Sequence, residues 1–92
     1  MKYTGKQNRE LRARGHNLKP IVFIGIEGIT QQILSVIEQE LVQQELIKVK
    51  IGKGKDLIGR KQAAVILSEK TGAHVAQIIG KVILLYRPNT AS

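Results

Sequence analysis

The run Ile21-Val22-Phe23-Ile24, closed in by Pro20 and Gly25, constrains this chain more than any other segment. A continuous β-branched and aromatic run between two breakers reads as a buried strand. The period then becomes helical. Ile33, Val36, Ile37 and Leu41 fall on one face, Gln31, Gln32, Glu38 and Gln39 on the other, and Thr30 stands ready to cap a helix beginning near Ile29. Over residues 46–52 the period drops to two, with Leu46, Lys48 and Lys50 on one face and Ile47, Val49 and Ile51 on the other. This is a half-buried strand with two lysines on its open side. Strand, amphipathic helix and strand make a βαβ unit, which pairs its strands in parallel through a right-handed crossover.

The rest of the chain extends that unit. Residues 6–14 are good helix formers and give a short basic helix that Gly15 stops, and Lys19-Pro20 bars any continuation. A third helix runs to a cap at Gly72 with Ala63, Ile66 and Leu67 as its stripe, and Gly59 weakens its first turn by about 1 kcal/mol. Val75–Ile79 and Val82–Tyr86 form a hairpin across the two-residue turn Gly80-Lys81. The expected order is αβαβαββ. Each strand–helix–strand unit crosses over right-handedly and pairs its strands in parallel, and the closing hairpin adds antiparallel pairing. The result is an α/β fold in which a four-stranded mixed sheet carries packed helices. One domain spans residues 1–92, with a core over about 6–88 and a loose tail at 89–92.

Charge gives the first functional direction. The net charge is +8 over 92 residues, which predicts a polyanionic partner, either nucleic acid or an acidic membrane surface. Positive charge lies in two blocks, residues 1–28 and 45–61, flanking a segment 29–44 that has no Lys or Arg. No stretch approaches the roughly 20 apolar residues of a membrane span. The start Met1-Lys2-Tyr3-Thr4-Gly5-Lys6 has no apolar run behind it, so a cytoplasmic protein without a secretory signal is expected. The absence of cysteine excludes disulfides and thiolate metal sites.

Among motifs, Gly25-Ile26-Glu27-Gly28 lies between the first strand and the helix behind Thr30. Glycines at this spacing let the backbone turn sharply and approach a ligand, and a helix N-terminus behind them favours phosphate. KH domains clamp RNA backbone with a loop of the same form. The same four residues also suit an ordinary strand-to-helix turn, and Glu27 opposes a phosphate. Lys48, Lys50, Lys53 and Lys55 surround a basic glycine loop, although lysines also guard exposed strands. Lys6, Arg9 and Arg12 on the first helix, and Lys19, Lys81 and Arg87 at strand ends or turns, complete the candidate RNA contacts. Gly52, Gly54 and Gly59 miss the dinucleotide spacing, and no P-loop is present. His16 and His74 stand apart from any carboxylate cluster, so neither an enzyme nor a metal or other cofactor is expected. Three aromatics are too few for a base-stacking platform, which favours backbone over base recognition.

Four segments, in order, carry a resemblance. They are Leu18-Lys19-Pro20-Ile21-Val22-Phe23-Ile24-Gly25-Ile26-Glu27-Gly28-Ile29-Thr30, Glu45-Leu46-Ile47-Lys48-Val49-Lys50-Ile51, Thr71-Gly72-Ala73, and the hairpin from Ile79 to Pro88. Together they resemble the CRM domain, whose bacterial stand-alone form is the YhbY type. The resemblance implies a fold like the C-terminal domain of bacterial translation initiation factor three, and Gly25–Gly28 falls on the family's GxxG loop. It also implies RNA binding, with ribosomal RNA as partner and large-subunit assembly as the process, and no small-molecule substrate. A protein–protein adaptor whose basic face meets an acidic partner is the alternative reading.

Overall fold

The computed structural model describes residues 3–53 and 58–89. Lys55, a candidate contact, and residues 90–92 of the expected tail lie outside the described residues. The order is α1 (Gly5–Gly15), β1 (Val22–Ile24), α2 (Gln31–Gln44), β2 (Leu46–Ile51), α3 (Arg60–Thr71), β3 (His74–Ile79) and β4 (Val82–Tyr86). This is the expected αβαβαββ order. Local chemistry sets the boundaries. Thr4 and Gln7 form a capping box that starts α1, and the Thr30 hydroxyl accepts from the Ile33 N–H at 3.2 Å to start α2. Gly59 stands outside α3 at its N-cap, where glycine costs little, rather than inside its first turn. Gly72 ends α3 in the left-handed conformation at φ 72°.

The four strands form one sheet in the order β1-β2-β4-β3. β1 and β2 are parallel, as a βαβ unit requires. The second strand–helix–strand unit departs from expectation: β3 runs in the direction of β2 but does not pair with it, because β4 lies between them and is antiparallel to both. The tight turn at Gly80 (φ 56°) folds β4 back against β3, so β4 fills the slot beside β2.

Helices cover the sheet unequally. α2 and α3 pack on one face, where Ile24, Ile37, Leu41, Val49, Leu67 and Ile83 are fully buried. α1 packs on the other face through Leu11, which meets Leu46, Ala76 and Leu84. The open side of β2 is therefore half roofed. Leu46 is buried under α1, Lys48 is half-buried, and Lys50 is exposed.

Several sequence expectations change in the fold. β1 is not buried throughout: Val22 and Ile24 face the core, whereas Phe23 is 62% exposed and Ile21 is also open. β1 is an edge strand with one face in the core, which an apolar run of four cannot reveal. Val36 is exposed, because the α2 stripe runs through Ile33, Leu34, Ile37 and Leu41. In α3 the buried residues are Ala63, Ala64, Leu67 and Thr71, with Ile66 only half-buried. Asn89, expected in a loose tail, is held by its N–H on the Glu45 carboxylate (2.7 Å) and its side-chain amide on the Val42 carbonyl (2.6 Å).

Gly15 does more than stop α1. It is buried, and a Cβ there would stand 2.7 Å from Leu84 Cδ1, so glycine sets how closely the helix approaches the sheet. Gly15→Ala is expected to destabilise the fold by about 1–2 kcal/mol through overpacking. Gly5→Ala, where a Cβ meets nothing within 4 Å, should not. Urea unfolding midpoints check the pair.

The start of α1 is tied down separately. The rings of Tyr3 and His74 stack at 4.0 Å, and His74 Nε2 lies 2.7 Å from Asn8 Oδ1. Burial lowers the His74 pKa from its ordinary 6.5 by disfavouring the charged ring. The unfolded state then takes up the proton first as pH falls. The stability from the neutral ring is thus full above pH 6.5 and declines below it, towards the lower folded-state value. Unfolding measured across this window should show a slope that His74→Gln removes.

Candidate nucleic-acid interface

Three loops and a helix start gather at one end of the sheet. β1 runs into Gly25, and the Ile24 carbonyl accepts from the Gly52 N–H at 2.9 Å, tying the first loop to the loop after β2. The Ile51 N–H donates to the Lys81 carbonyl at 2.8 Å, bringing in the β3–β4 turn. Lys81 Nζ reaches the Gly52 carbonyl at 3.4 Å, and Arg60 at the start of α3 donates to the Gly80 carbonyl at 3.0 Å. Lys50, Lys53, Arg60 and Lys81 are all exposed at this end. Arg60 belongs to the basic block of residues 45–61, although its sequence position alone does not mark it as a site residue. Its place follows from packing between α3 and the hairpin, 20 positions away along the chain.

Gly25–Gly28 closes as a tight turn, with the Gly28 N–H donating to the Gly25 carbonyl at 3.0 Å. Gly28 has φ 76°, a conformation that side chains rarely adopt. Gly25 borders open space, and Ile26 at the tip is 76% exposed. α2 does not begin at the loop. Ile29 and Thr30 intervene, and Thr30 satisfies the Ile33 and Leu34 N–H groups. The loop thus offers an exposed apolar tip and close backbone access, while the cations come from neighbouring elements.

The remaining candidates divide. Lys6 and Arg9 are exposed and Arg12 half-buried on α1, which overlies the same sheet face that bears Lys48 and Lys50. Lys48 Nζ lies 3.4 Å from the His16 carbonyl at the end of that helix. Lys19 is exposed just before β1. Arg87 belongs elsewhere. Its guanidinium pairs with Glu38 of α2 at 2.9 Å and donates to the Thr71 carbonyl at 2.7 Å, bracing the sheet against α2 and α3. Among the described residues no helix is long and apolar enough to cross a membrane, and no His, Cys, Asp and Glu side chains cluster to hold a metal.

A family model, the CRS1 / YhbY (CRM) domain, matches residues 3–87. The chain belongs to the CRM domain family. Similar relatives include a probable RNA-binding protein of Methanocaldococcus jannaschii, 39% identical over 95% of this chain. The chain spans 65% of that relative's length. An RNA-binding protein of Haemophilus influenzae is 37% identical over 91% of this chain and 84% of its own length. The solution structure of a hypothetical Staphylococcus aureus protein superposes with a TM-score of 0.79 at 38% identity. That match covers 98% of this chain and 93% of the other. The CRM assignment and the α/β architecture expected from the sequence therefore both stand.

Within this CRM domain, Arg87 is expected to act on stability alone. Arg87→Met should cost about 1 kcal/mol, because the ion pair is partly exposed and only the bond to the Thr71 carbonyl is well sheltered. Affinity for a polyanion should stay within about twofold of the parent, as a charge already neutralised by Glu38 contributes little to phosphate binding. Denaturation and filter binding on the same variant check both halves.

Proposed function

We propose that this chain is a non-enzymatic RNA-binding domain that grips RNA backbone at the Gly25–Gly28 end of the sheet. The observation that carries the reading is the convergence there of an open glycine turn with Lys50, Lys53, Arg60 and Lys81. Lys6, Arg9 and Arg12 on α1 and Lys48 beneath it extend positive charge along the sheet face that α1 overlies, and Lys19 adds a further exposed cation just before β1. Two lines of support meet at this point: relatives of the chain are named RNA-binding proteins, and a +8 chain attracts a polyanion.

In this reading Gly25 lets the RNA backbone come close, the exposed amides of the turn meet phosphate oxygens, and the surrounding lysines supply charge. Glu27 sits at the tip as an anion and takes no phosphate. The grip is held by backbone and neighbours. The RNA is that of the large ribosomal subunit during its assembly in the cytoplasm, a role that rests on the family resemblance of the four sequence segments.

Neutralising roughly five to eight phosphates gives a log–log salt slope of about −4 to −6 on a structured large-subunit rRNA fragment. Gly25→Val tests the turn. A Cβ at Gly25 meets nothing within 4 Å, so the variant should fold as well as the parent yet bind about tenfold more weakly. Electrophoretic mobility shifts over a salt series check both expectations. Binding indifferent to salt contradicts the electrostatic grip. A basic face that co-purifies with an acidic protein and no RNase-sensitive material points to the adaptor instead.

A further inference from the structure

Of the three aromatic rings, two are spoken for. Tyr3 stacks on His74 and meets Tyr86 edge-on, and the Arg14 guanidinium lies 5.6 Å from the Tyr86 ring. Phe23 is different: it is 62% exposed in the middle of a strand. An exposed phenylalanine on an edge strand invites wrong pairing unless something covers it.

The strand register shows what surrounds it. Phe23 is level with Lys50 on β2, Lys50 with Val82 on β4, and Val82 with Ile79 on β3. These four share the face on which α1 sits, because their neighbours Ile24, Ile51, Ile83 and Ile78 point into the opposite core. α1 covers only the half of that face around Leu46, Ala76 and Leu84. What remains is an uncovered row across the sheet, with apolar Phe23 and Ile79 at its two edges, each at least 60% exposed, and exposed Lys50 between them. With strands about 4.8 Å apart, the row spans roughly 14 Å.

We propose that Phe23 stacks an unpaired nucleobase of the bound RNA, with Lys50 holding an adjacent phosphate. This rests on the RNA-binding reading above and adds a base contact to a grip otherwise made to backbone. A sheet fixes its side chains roughly perpendicular to its plane, so the ring is held ready for a flat partner at little entropic cost. An aromatic face beside cations suits a single strand, in which each base offers a π-face and each phosphate a charge. A duplex keeps its bases stacked inside and cannot use the ring. Charge also argues against a second copy of this chain as the occupant. Two such faces would set Lys48 and Lys50 against their counterparts in a molecule of net charge +8. Continuity favours RNA too, since Phe23 lies two positions before Gly25. A strand stacked on the ring leads directly onto the turn.

The chain has no tryptophan, so Phe23→Trp places a single reporter at the proposed contact. The probes are single-stranded oligoadenylate and the same strand annealed to oligouridylate. The indole emission should be quenched by the single strand and not by the duplex. Phe23→Leu should weaken single-strand binding by roughly 5- to 100-fold with an unchanged salt slope, and Phe23→Tyr should retain it. Melting temperatures should match the parent, because the side chain is outside the core. Unquenched emission together with parental affinity in Phe23→Leu overturns the stack, while a steep salt slope in the same experiment leaves the backbone grip standing. Failure of the parent to bind any RNA overturns both. Concentration-dependent self-association that Phe23→Leu abolishes, with RNA affinity unchanged, assigns the face to a second copy and overturns the stack.

Discussion

The antiparallel pairing of β2 with β4 joins the two halves of this chain, and each remaining element takes its position from it. Leu46 to Lys50 run level with Tyr86 to Val82, so a strand of the N-terminal βαβ unit and a strand of the C-terminal hairpin share one ladder. Both strands send alternate residues to opposite faces. Ile47, Val49, Ile83 and Leu85 go to the core under α2 and α3, and Leu46 and Leu84 go to the smaller core under α1. A slip of one residue would exchange these sets, exposing the large core and burying Lys48 and Lys50. Register and surface charge are therefore linked, because the same alternation that fills the core lifts two lysines onto the open face.

The smaller core decides how much of that face stays open. Gly15 brings α1 down onto Leu84, and its first turn is anchored by the stack of Tyr3 on His74. The helix covers the end of the sheet near Leu46 and Tyr86 and leaves the end near Lys50 and Lys81 bare. The bare end is also where the Gly25–Gly28 turn and the Gly80 turn lie, with the Gly52 N–H bonded to the Ile24 carbonyl beside them. Lys50 on β2, Lys81 in the β3–β4 turn and Arg60 at the start of α3 converge there. A ligand that wants backbone proximity and positive charge finds both in one place.

Much of this was legible in the sequence, for identifiable reasons. The period-two alternation of β2 survives in the fold because both its faces are used. Thr30 and Gly72 mark helix ends because each satisfies a specific backbone need. The run Ile21–Ile24 misled because an edge strand and a central strand have the same apolar content when one exposed position happens to be aromatic. Phe23 was therefore expected in the core and passed over as a site. Arg87 looked like a free cation at a strand end, since nothing local indicates that Glu38, 49 positions away, will meet it. Arg60 is visible in the sequence only as part of a basic block, because its position beside Gly80 is a product of topology. The intervention of β4 between β2 and β3 is likewise invisible until the hairpin chooses its side.

The central claim is that RNA lies across the Gly25–Gly28 end of the sheet and the open face beside it. Amide chemical-shift mapping of the full chain during titration with a large-subunit rRNA fragment tests this most directly. The account predicts that the largest changes fall at Phe23, Gly25–Gly28, Lys50–Lys53 and Gly80–Val82, with Arg87 and the C-terminal half of α2 unmoved. Changes confined to the outer surfaces of α2 and α3, with the glycine turn silent, would contradict it.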